Sequence, residues 1–375
     1  MPHSVEHSRP RLCVRRRRIG DGGDDARLQE QQVVPPVPPL DRGPPGGEAT
    51  DAMHVIAEGA APYLAVDPDG HRAYVRDHKQ RALVPKLMAE REAVERFVRD
   101  GDYLVYDCNY FQRGPSSLLR EVVRQGKRDL WLCGKFTYVD VGLLVGAGCV
   151  SKVDCGFFWP GATIDNAIAA GAVQVYEYSN VVITLRLQAG AMGLPFLPVR
   201  SFGGTDGFAH SGAKLVEDPF TGRPITLVPA LNPDVALIHA QQADVYGNAR
   251  VFGTGIAHEE SAMASKRVIV SAEEIIDTEE IRRDPGRTSI PYYAVDAVVQ
   301  ARFGAWPGNC GGYYGSDTPA VIETFGAIAA DRVPAYIEKY VTPFADDREM
   351  LQKLVGDERL QKLRAAETIS EGYRP

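Results

Sequence analysis

Apolar and polar residues follow two different periods along this chain, and these periods predict alternating strands and helices. Runs that are apolar at nearly every position predict buried strands: "YLVYD" (103–107), "DLWLC" (129–133), "DVALIHA" (234–240) and "KRVIVSAEEI" (266–275). Around 88–98 and 115–124, apolar residues recur at helical spacing instead. Strands that are apolar on both faces and alternate with helices are typical of parallel sheets covered on both sides. We therefore expect the α/β class, with a mostly parallel sheet and helices on both faces.

The same patterns continue along the rest of the chain. Further strand candidates are 150–157, 172–178, 182–193 and 225–230. Residues 139–148 predict a helix, and the spacing within 333–364 predicts an amphipathic helical tail. For 182–193 a helix is the alternative, because Ser179 and Asn180 are suitable N-cap residues just before it.

Composition divides the chain into three parts. Residues 1–52 hold a basic run, an acidic run and a Pro- and Gly-rich stretch without periodicity, so we expect disorder there. The other interpretations are a mis-annotated extension before a start at Met53 and an Arg-rich transit peptide. Residues 53–87 are predicted to be an irregular N-terminal segment, and 88–375 the α/β domain with its C-terminal helices.

Charge and cysteine content exclude several kinds of partner. The net charge of −7 gives no reason to expect nucleic acid or an anionic membrane surface. No apolar run reaches the ~18 residues needed to span a bilayer. The 6 cysteines form no CxxC pair or zinc-like cluster, so we expect free thiols, no metal and a cytoplasmic protein.

Several common catalytic and nucleotide-binding motifs are absent. No GxGxxG follows a predicted strand, and the chain has no GxxxxGK(S/T), GxSxG or HExxH. The Gly-rich stretch "SFGGTDGF" (201–208) follows "LPFLPVR", and we place it outside any strand-to-helix turn. We therefore expect no permanently bound cofactor.

Polar side chains cluster where the strand at 234–240 is predicted to end. His239, Gln241 and Gln242 follow a buried apolar run, and open parallel sheets bind ligands at the carboxyl ends of their strands. An imidazole and two amides there favour a polar ligand. The structural alternatives are a core histidine bonded to the backbone and glutamines that cap strand-end carbonyls.

Longer motifs resemble one enzyme family. Four stretches, in order along the chain, are similar to the α subunits of family I CoA-transferases, and in particular of glutaconate CoA-transferase: 193–200, 235–253, 273–285 and 290–319. The resemblance covers the chain from Met88 to the C-terminal helices. It implies an α/β fold, a homologous β subunit, an active site at the interface between the two chains, and an acyl-CoA and a carboxylic acid as substrates.

In that family the thioester is attacked by a glutamate of the β subunit, so the resemblance implies that this chain carries no nucleophile. The α subunit then supplies hydrogen-bond donors and pocket walls. The residues expected to contact the oxyanion or the substrate are Cys108, Asn109, Ser179, Asn180, His239, Gln241 and Gln242.

Two departures from the family pattern leave other functions open. Asp107, Cys108 and Asn109 stand where family α subunits carry Gly-Gly-Phe, and their side chains narrow the pocket. Related ring-opening hydrolases carry an acidic residue where this chain has Ser179 and Asn180. The alternatives are accordingly a CoA-thioester hydrolase or ring-cleaving relative, and a non-catalytic acyl-CoA-binding subunit. Cys108 is expected to be an inert buried thiol rather than a nucleophile.

Overall fold

A computed structural model describes residues 53–367, except 64–66, 136, 138, 158–160 and 254. The predictions for residues 1–52 lie outside this described part of the chain. The strands are β1 (Val55–Glu58), β2 (Tyr103–Tyr106), β3 (Leu130–Gly134), β4 (Val150–Cys155), β5 (Gln174–Glu177), β6 (Phe196–Val199), β7 (Lys214–Glu217), β8 (Pro224–Pro229), β9 (Val235–Ala243), β10 (Ala249–Arg250), β11 (Arg267–Ile275) and β12 (Ala297–Gln300).

The α-helices lie between and after these strands. They are α1 (Pro68–Asp77), α2 (Glu90–Phe97), α3 (Ser116–Arg124), α4 (Asp140–Gly146), α5 (Ala162–Ala169), α6 (Asn180–Met192), α7 (Asp206–Ala209), α8 (His258–Ala264), α9 (Thr278–Arg283), α10 (Thr318–Ala329), α11 (Val333–Tyr340), α12 (Asp347–Met350) and α13 (Asp357–Ala365). Short 3₁₀ turns span Pro285–Arg287 and Tyr292–Ala294, and a π-helical turn spans Leu351–Val355.

Most strands join one 8-stranded sheet. Along the order β12-β11-β9-β2-β3-β4-β5 every neighbouring pair is parallel, and β10 pairs antiparallel with β9. The central strands are buried along their length, as their apolar runs predicted. The expectation of an α/β fold with a mostly parallel sheet is therefore confirmed.

Helices cover both faces of this sheet, because side chains alternate between the faces of a strand. On one face, Leu104 and Leu237 share a core with Leu118 of α3 and Ile328 of α10. On the other face, Ile238 shares a core with residues of α6 and α8. Each buried strand thus supplies apolar residues to two cores.

A second, 4-stranded sheet is antiparallel, with the order β1-β7-β8-β6. Val199 of β6 and Val228 of β8 belong to the same core as Val182 of α6. Of its strands, the sequence pattern predicted β8 alone, as the candidate at 225–230. Residues 53–87, predicted to be irregular, contribute β1 and α1, and β1 is exposed at every position and so shows no apolar pattern.

Two further elements differ from their predictions. Residues 182–193 belong to helix α6 rather than a strand, because Ser179 caps it and Gly193 ends it in the left-handed region at φ 70°. The predicted helical tail is divided into α11, α12, a π-helical turn and α13, with Gly356 at φ 82° before the last helix. Among the described helices, none combines the length and apolar character that crossing a bilayer requires.

Candidate active site

The carboxyl edge of the parallel sheet is set by strand register. The last residues of β2, β3, β4 and β5 pair with one another across the sheet. The residues that follow them, Asp107, Lys135, Gly156 and Tyr178, therefore lie in a row at this edge. The longer strand β9 runs beside this row, since the Asp107 N–H donates to the Leu237 carbonyl at 3.1 Å. This is the edge where open parallel sheets bind ligands.

An ion cluster is buried where β2 and β3 end. The Asp107 carboxylate accepts a hydrogen bond from the Arg113 guanidinium, while Lys135 Nζ lies 3.8 Å from its other oxygen and donates to Ser261 Oγ at 3.1 Å. Burial by itself raises the pKa of Asp107, but the charges of Arg113 and Lys135 outweigh it and hold that pKa below its ordinary value. His258, which interacts electrostatically with Asp107 and Arg113, adds no third positive charge at pH 7, because burial lowers the pKa of its imidazole. The cluster thus holds two cations against one carboxylate.

Cys108 and Asn109 begin the loop that follows Asp107. Cys108 has a φ of 62°, in the left-handed region that favours glycine. Its thiol accepts a hydrogen bond from Arg113 at 3.0 Å, and burial raises its pKa to about 12, so it is unreactive at neutral pH. Asn109 Oδ1 accepts the Phe111 N–H at 2.9 Å within a local turn. Both side chains are engaged inside their own loop.

His239 lies within β9 rather than at its end, because the strand continues to Ala243. The imidazole is fully buried, with Nδ1 2.9 Å from Ser271 Oγ and Nε2 2.8 Å from the Glu273 carboxylate. The Glu273 carboxylate accepts three more hydrogen bonds, from the backbone N–H groups of Phe303 and Gly304 and from the Tyr314 hydroxyl. This geometry corresponds to the core-histidine alternative, with side-chain partners in place of the backbone.

The ligand atoms of His239, Glu273 and Cys310 lie within 4.8 Å of one another, which is close enough for a metal site. The chemistry of the set does not fit a cation, because N–H and O–H donors already point at the Glu273 carboxylate. We assign no metal to this cluster.

Gln241 and Gln242 point to opposite faces of β9, because neighbouring residues of a strand alternate. The buried Gln241 amide donates to the carbonyls of Phe252 at 2.9 Å and Gly311 at 3.3 Å, and it accepts the Phe252 N–H at 3.0 Å. Gln242 is half-buried and donates to Glu274 at 3.1 Å. The predicted strand-end cluster of amides is therefore not assembled, since the strand runs on past the point where it was expected to end.

A cleft of about 1340 Å³ opens beside β5, and we call it the β5 cleft. It is lined by residues of 155–157, 173–179 and the loop 201–207, with Pro62, Ile168 and Gly171. That Gly-rich loop does lie between a strand, β6, and a helix, α7, contrary to the sequence-based placement.

The predicted contact residues Ser179 and Asn180 lie at the N-terminus of α6. Ser179 is exposed on the β5 cleft, and its Oγ accepts the Val182 N–H at 3.1 Å, so it acts as the N-cap. Asn180 packs against Gly156, where an added Cβ would lie 2.5 Å from Asn180 Oδ1. Strands β3 and β4 separate this pair from Cys108 and Asn109 at the end of β2, so the predicted site residues form two groups.

Tyr178 forms a fixed wall of the β5 cleft. Its ring lies between the Arg186 guanidinium, 4.1 Å from the ring centroid, and the Phe202 ring, whose centroid is 6.1 Å away and nearly parallel at 17°. Its hydroxyl accepts the Gly212 N–H at 2.9 Å. Arg186 in turn donates to the buried Asp154 carboxylate at 2.8 Å. Aromatic stacking and this ion pair therefore hold the wall in one position.

Glu177 places a carboxylate at the surface of the β5 cleft. Its backbone N–H donates to the His210 carbonyl at 3.1 Å, and an added Cβ at Gly207 would lie 3.7 Å from its Oε2. Glu177, Arg113 and Lys135 were not among the site residues predicted from the sequence. The strand-end rule would have found Lys135 and Glu177, since each lies within two residues of the end of a predicted strand.

Comparison with known proteins gives the same fold and places the chain in a family. The model of the coenzyme A transferase family matches residues 87–301. The crystal structure of glutaconate coenzyme A-transferase from Acidaminococcus fermentans superposes with a TM-score of 0.71 at 32% identity, covering 74% of this chain and 95% of that one.

Two relatives extend the likeness. One of the subunits of the 3-oxoadipate CoA-transferase of Pseudomonas knackmussii is 34% identical over 72% of this chain and 98% of its own length. The cholesterol ring-cleaving hydrolase IpdA subunit of Rhodococcus jostii is 34% identical over 55% of this chain and 75% of its own. The chain described here belongs to the coenzyme A transferase family, whose substrates are CoA thioesters.

Proposed function

We propose that this chain is the α subunit of a two-subunit CoA-transferase. It exchanges CoA between an acyl-CoA and a carboxylic acid, and the attacking glutamate lies on a homologous β subunit. One observation carries this proposal: two buried carboxylates near the carboxyl edge of the sheet, Asp107 and Glu273, are paired with cations or hydrogen-bond donors of this chain.

Asp107 is unsuited to nucleophilic attack on a thioester. Acylation would remove the negative charge that balances Arg113 and Lys135, and all three side chains are buried. Leaving a buried charge without its partner costs about 3–5 kcal/mol. The pKa of Asp107 is held low by the same two cations, which keeps it an ion-pair partner.

Glu273 is unsuited for a different reason. Its side chain is 3% exposed, and its oxygens accept from His239, two backbone N–H groups and the Tyr314 hydroxyl. Attack on a thioester would strand these buried donors, at a cost of about 1–3 kcal/mol for each. The nucleophile is therefore to be sought on a partner, as in the family that the motifs resemble.

This chain then contributes positive charge and a rigid frame to the shared site. The excess charge of Arg113 and Lys135 stabilises negative charge that develops on the thioester oxygen. Arg113 also donates to the His239 carbonyl, so one guanidinium joins the loop after β2 to β9. We propose that four residues stabilise this frame without contacting the substrate: Cys108, Asn109, His239 and Gln241. The residues we retain as substrate contacts are Ser179, Asn180 and Gln242.

The test is co-expression with a homologous β chain, followed by an assay of CoA exchange. The purified complex is incubated with acyl-CoA, with and without a free carboxylic acid, and treated with sodium borohydride. Borohydride reduces a glutamyl thioester to an alcohol, which mass spectrometry locates on one chain or the other. The control is the same complex treated without acyl-CoA.

We expect exchange that depends on the acid, and a reduced glutamate on the β chain. A reduced residue on the chain described here would contradict the assignment of the nucleophile. Exchange by this chain alone would contradict the need for a β subunit.

A CoA-thioester hydrolase is the second candidate function. The observation that favours it is the position of the Glu177 carboxylate, which is exposed on the β5 cleft at the carboxyl edge of the sheet. From there it could activate a water molecule as a general base. In that case CoA is released without any acid, and Glu177→Gln lowers the release rate by about 10²-fold or more. Acid-dependent exchange that survives Glu177→Gln would rule out this candidate.

A further inference from the structure

The β5 cleft is large for the acyl group of a small acid. Its volume of about 1340 Å³ exceeds the ~300–1,000 Å³ of typical sites for drug-sized ligands. It opens at the carboxyl edge of the sheet, beside Ser179 at the start of α6. The cleft therefore has room for a bulky acyl group at the edge where the thioester reacts.

The charges around the cleft are unusual for a site that binds a dicarboxylic acyl group. Glu177 is the charged side chain among the described lining residues, and none of them is a lysine, arginine or histidine. The nearby Arg186 lies behind the Tyr178 ring and is paired with Asp154. A second carboxylate on the acyl group would lose its hydration without gaining a cation, and it would face the Glu177 carboxylate.

Much of the uncharged lining is apolar or aromatic. Phe157 and Ile168 are each 42% exposed, although such large apolar side chains are usually covered. Exposed apolar side chains that converge in a concave surface mark the binding of an apolar ligand. Val173 and Phe202 extend the same apolar surface.

Phe202 provides a second, independent observation. Its φ is 82°, in the left-handed region that a phenylalanine rarely occupies, and two glycines follow it in the loop. A bulky ring in this backbone conformation is under strain that its packing contacts must offset. The ring stacks on Tyr178, so the two aromatic side chains fix each other in the lining of the cleft.

We propose that the β5 cleft binds the acyl group of the thioester, and that this group is apolar and carries no second carboxylate. This inference rests on the proposed function, since it assumes that the chain takes part in CoA exchange. Glutaconate and 3-oxoadipate, for which two of the relatives are named, are dicarboxylates. The substrate of this chain therefore differs from theirs in charge.

The test uses the complex with its β chain and acetyl-CoA as the donor. Phenylacetate and hexanoate are compared with glutarate and adipate as acceptors, by kcat/KM. We expect the apolar acids to exceed the dicarboxylates by at least about tenfold, which corresponds to 1.36 kcal/mol. Glu177→Gln narrows this ratio by about threefold or more, and Ser201→Lys, which adds a cation at an exposed lining position, narrows it further.

The matched control is Glu95→Gln, an exposed glutamate of α2 outside the cleft, which leaves the ratio unchanged. An unchanged ratio in both Glu177→Gln and Ser201→Lys would overturn the inference, as would a wild-type preference for the dicarboxylates. Loss of the β chain from the Ser201→Lys complex on gel filtration would also overturn it, because the partner would then be what covers the cleft.

A direct binding measurement separates this inference from the proposed function. Calorimetry compares phenylacetyl-CoA with glutaryl-CoA on the same complex. Tighter binding of phenylacetyl-CoA without exchange on any acid would contradict the transferase while supporting the cleft assignment. Tighter binding of glutaryl-CoA would overturn the cleft assignment even if exchange occurs.

Discussion

Arg113 and Asp107 form a buried ion pair beside the end of β2. The same guanidinium donates to the Cys108 sulfur and to the His239 carbonyl. This side-chain cross-link joins the loop after β2 to the neighbouring strand β9 at the carboxyl edge of the sheet.

Removing the guanidinium should destabilise the fold strongly. We expect Arg113→Ala to lower the free energy of unfolding by about 3–5 kcal/mol, because Asp107 then stays buried without its main partner. The double variant Asp107→Ala/Arg113→Ala should cost clearly less than the sum of the single variants. Urea denaturation of the four proteins measures this coupling. Strictly additive effects would show that the pair is not energetically coupled.

Gln241 should matter for stability rather than for catalysis. Gln241→Ala removes three hydrogen bonds to the backbone of Phe252 and Gly311, so we expect a loss of about 2 kcal/mol in the free energy of unfolding. The kcat/KM of the folded complex should change by less than about threefold, far from the ~10²-fold typical of a lost oxyanion donor. Gln242→Ala, on the opposite face of β9, is the matched control for stability. A drop of tenfold or more in kcat/KM for Gln241→Ala would restore its role as a substrate contact.

Glu90 should make the protein less stable at alkaline pH. Burial, and then the charge of Asp347, raise the pKa of Glu90 from its usual 4.5 to about 8. A raised folded-state pKa adds stability that is full below about 4.5 and is lost as the pH rises to about 8. Glu90→Gln keeps a neutral group there, so we expect it to exceed the wild type by on the order of 1–3 kcal/mol at pH 9 and to match it near pH 4.

Denaturation curves at several pH values check this expectation. Glu95→Gln on the same helix, whose side chain is exposed, should follow the wild type throughout. Equal stabilities of Glu90→Gln and the wild type at pH 9 would contradict the raised pKa.

Cys108 should prove inert. With its pKa at about 12 and no solvent exposure, its thiol should react with a small disulfide reagent at pH 8 only on unfolding. Cys108→Gly relieves the left-handed backbone and should keep activity within about threefold of the wild type. Mass mapping of the labelled cysteines and the exchange assay measure both effects. Rapid labelling of Cys108 in the folded protein, or loss of activity in Cys108→Gly, would point to a chemical role.

The main sheet could be predicted because its strands bury both faces. Runs such as "DVALIHA" are apolar at consecutive positions, and that pattern does not depend on distant residues. The antiparallel sheet was predicted in this way only at β8, the candidate at 225–230. Its strands are short, and β1 is exposed along its length, so its existence depends on pairing with β7 rather than on a local pattern.

The polar residues were harder to interpret than the apolar ones. The apolar run predicted that β9 ends near Ala240, but pairing with β10 and β11 extends it to Ala243. The amides of Gln241 and Gln242 therefore became parts of a strand, with partners on opposite faces. A glutamine inside a strand and one beyond its end look alike in a sequence, because their partners are far away along the chain.

By itself, the sequence determined the α/β class, the parallel sheet and membership of the CoA-transferase family, because apolar periodicity and long motifs are local properties. Only the tertiary structure decided which polar groups are free to act. The Asp107 carboxylate forms buried ion pairs with Arg113 and Lys135, whereas the Glu177 carboxylate is exposed on the β5 cleft. Burial and ion pairing depend on residues brought together from different strands, so the chemistry of a carboxylate follows from its neighbours in space and not from its neighbours in sequence.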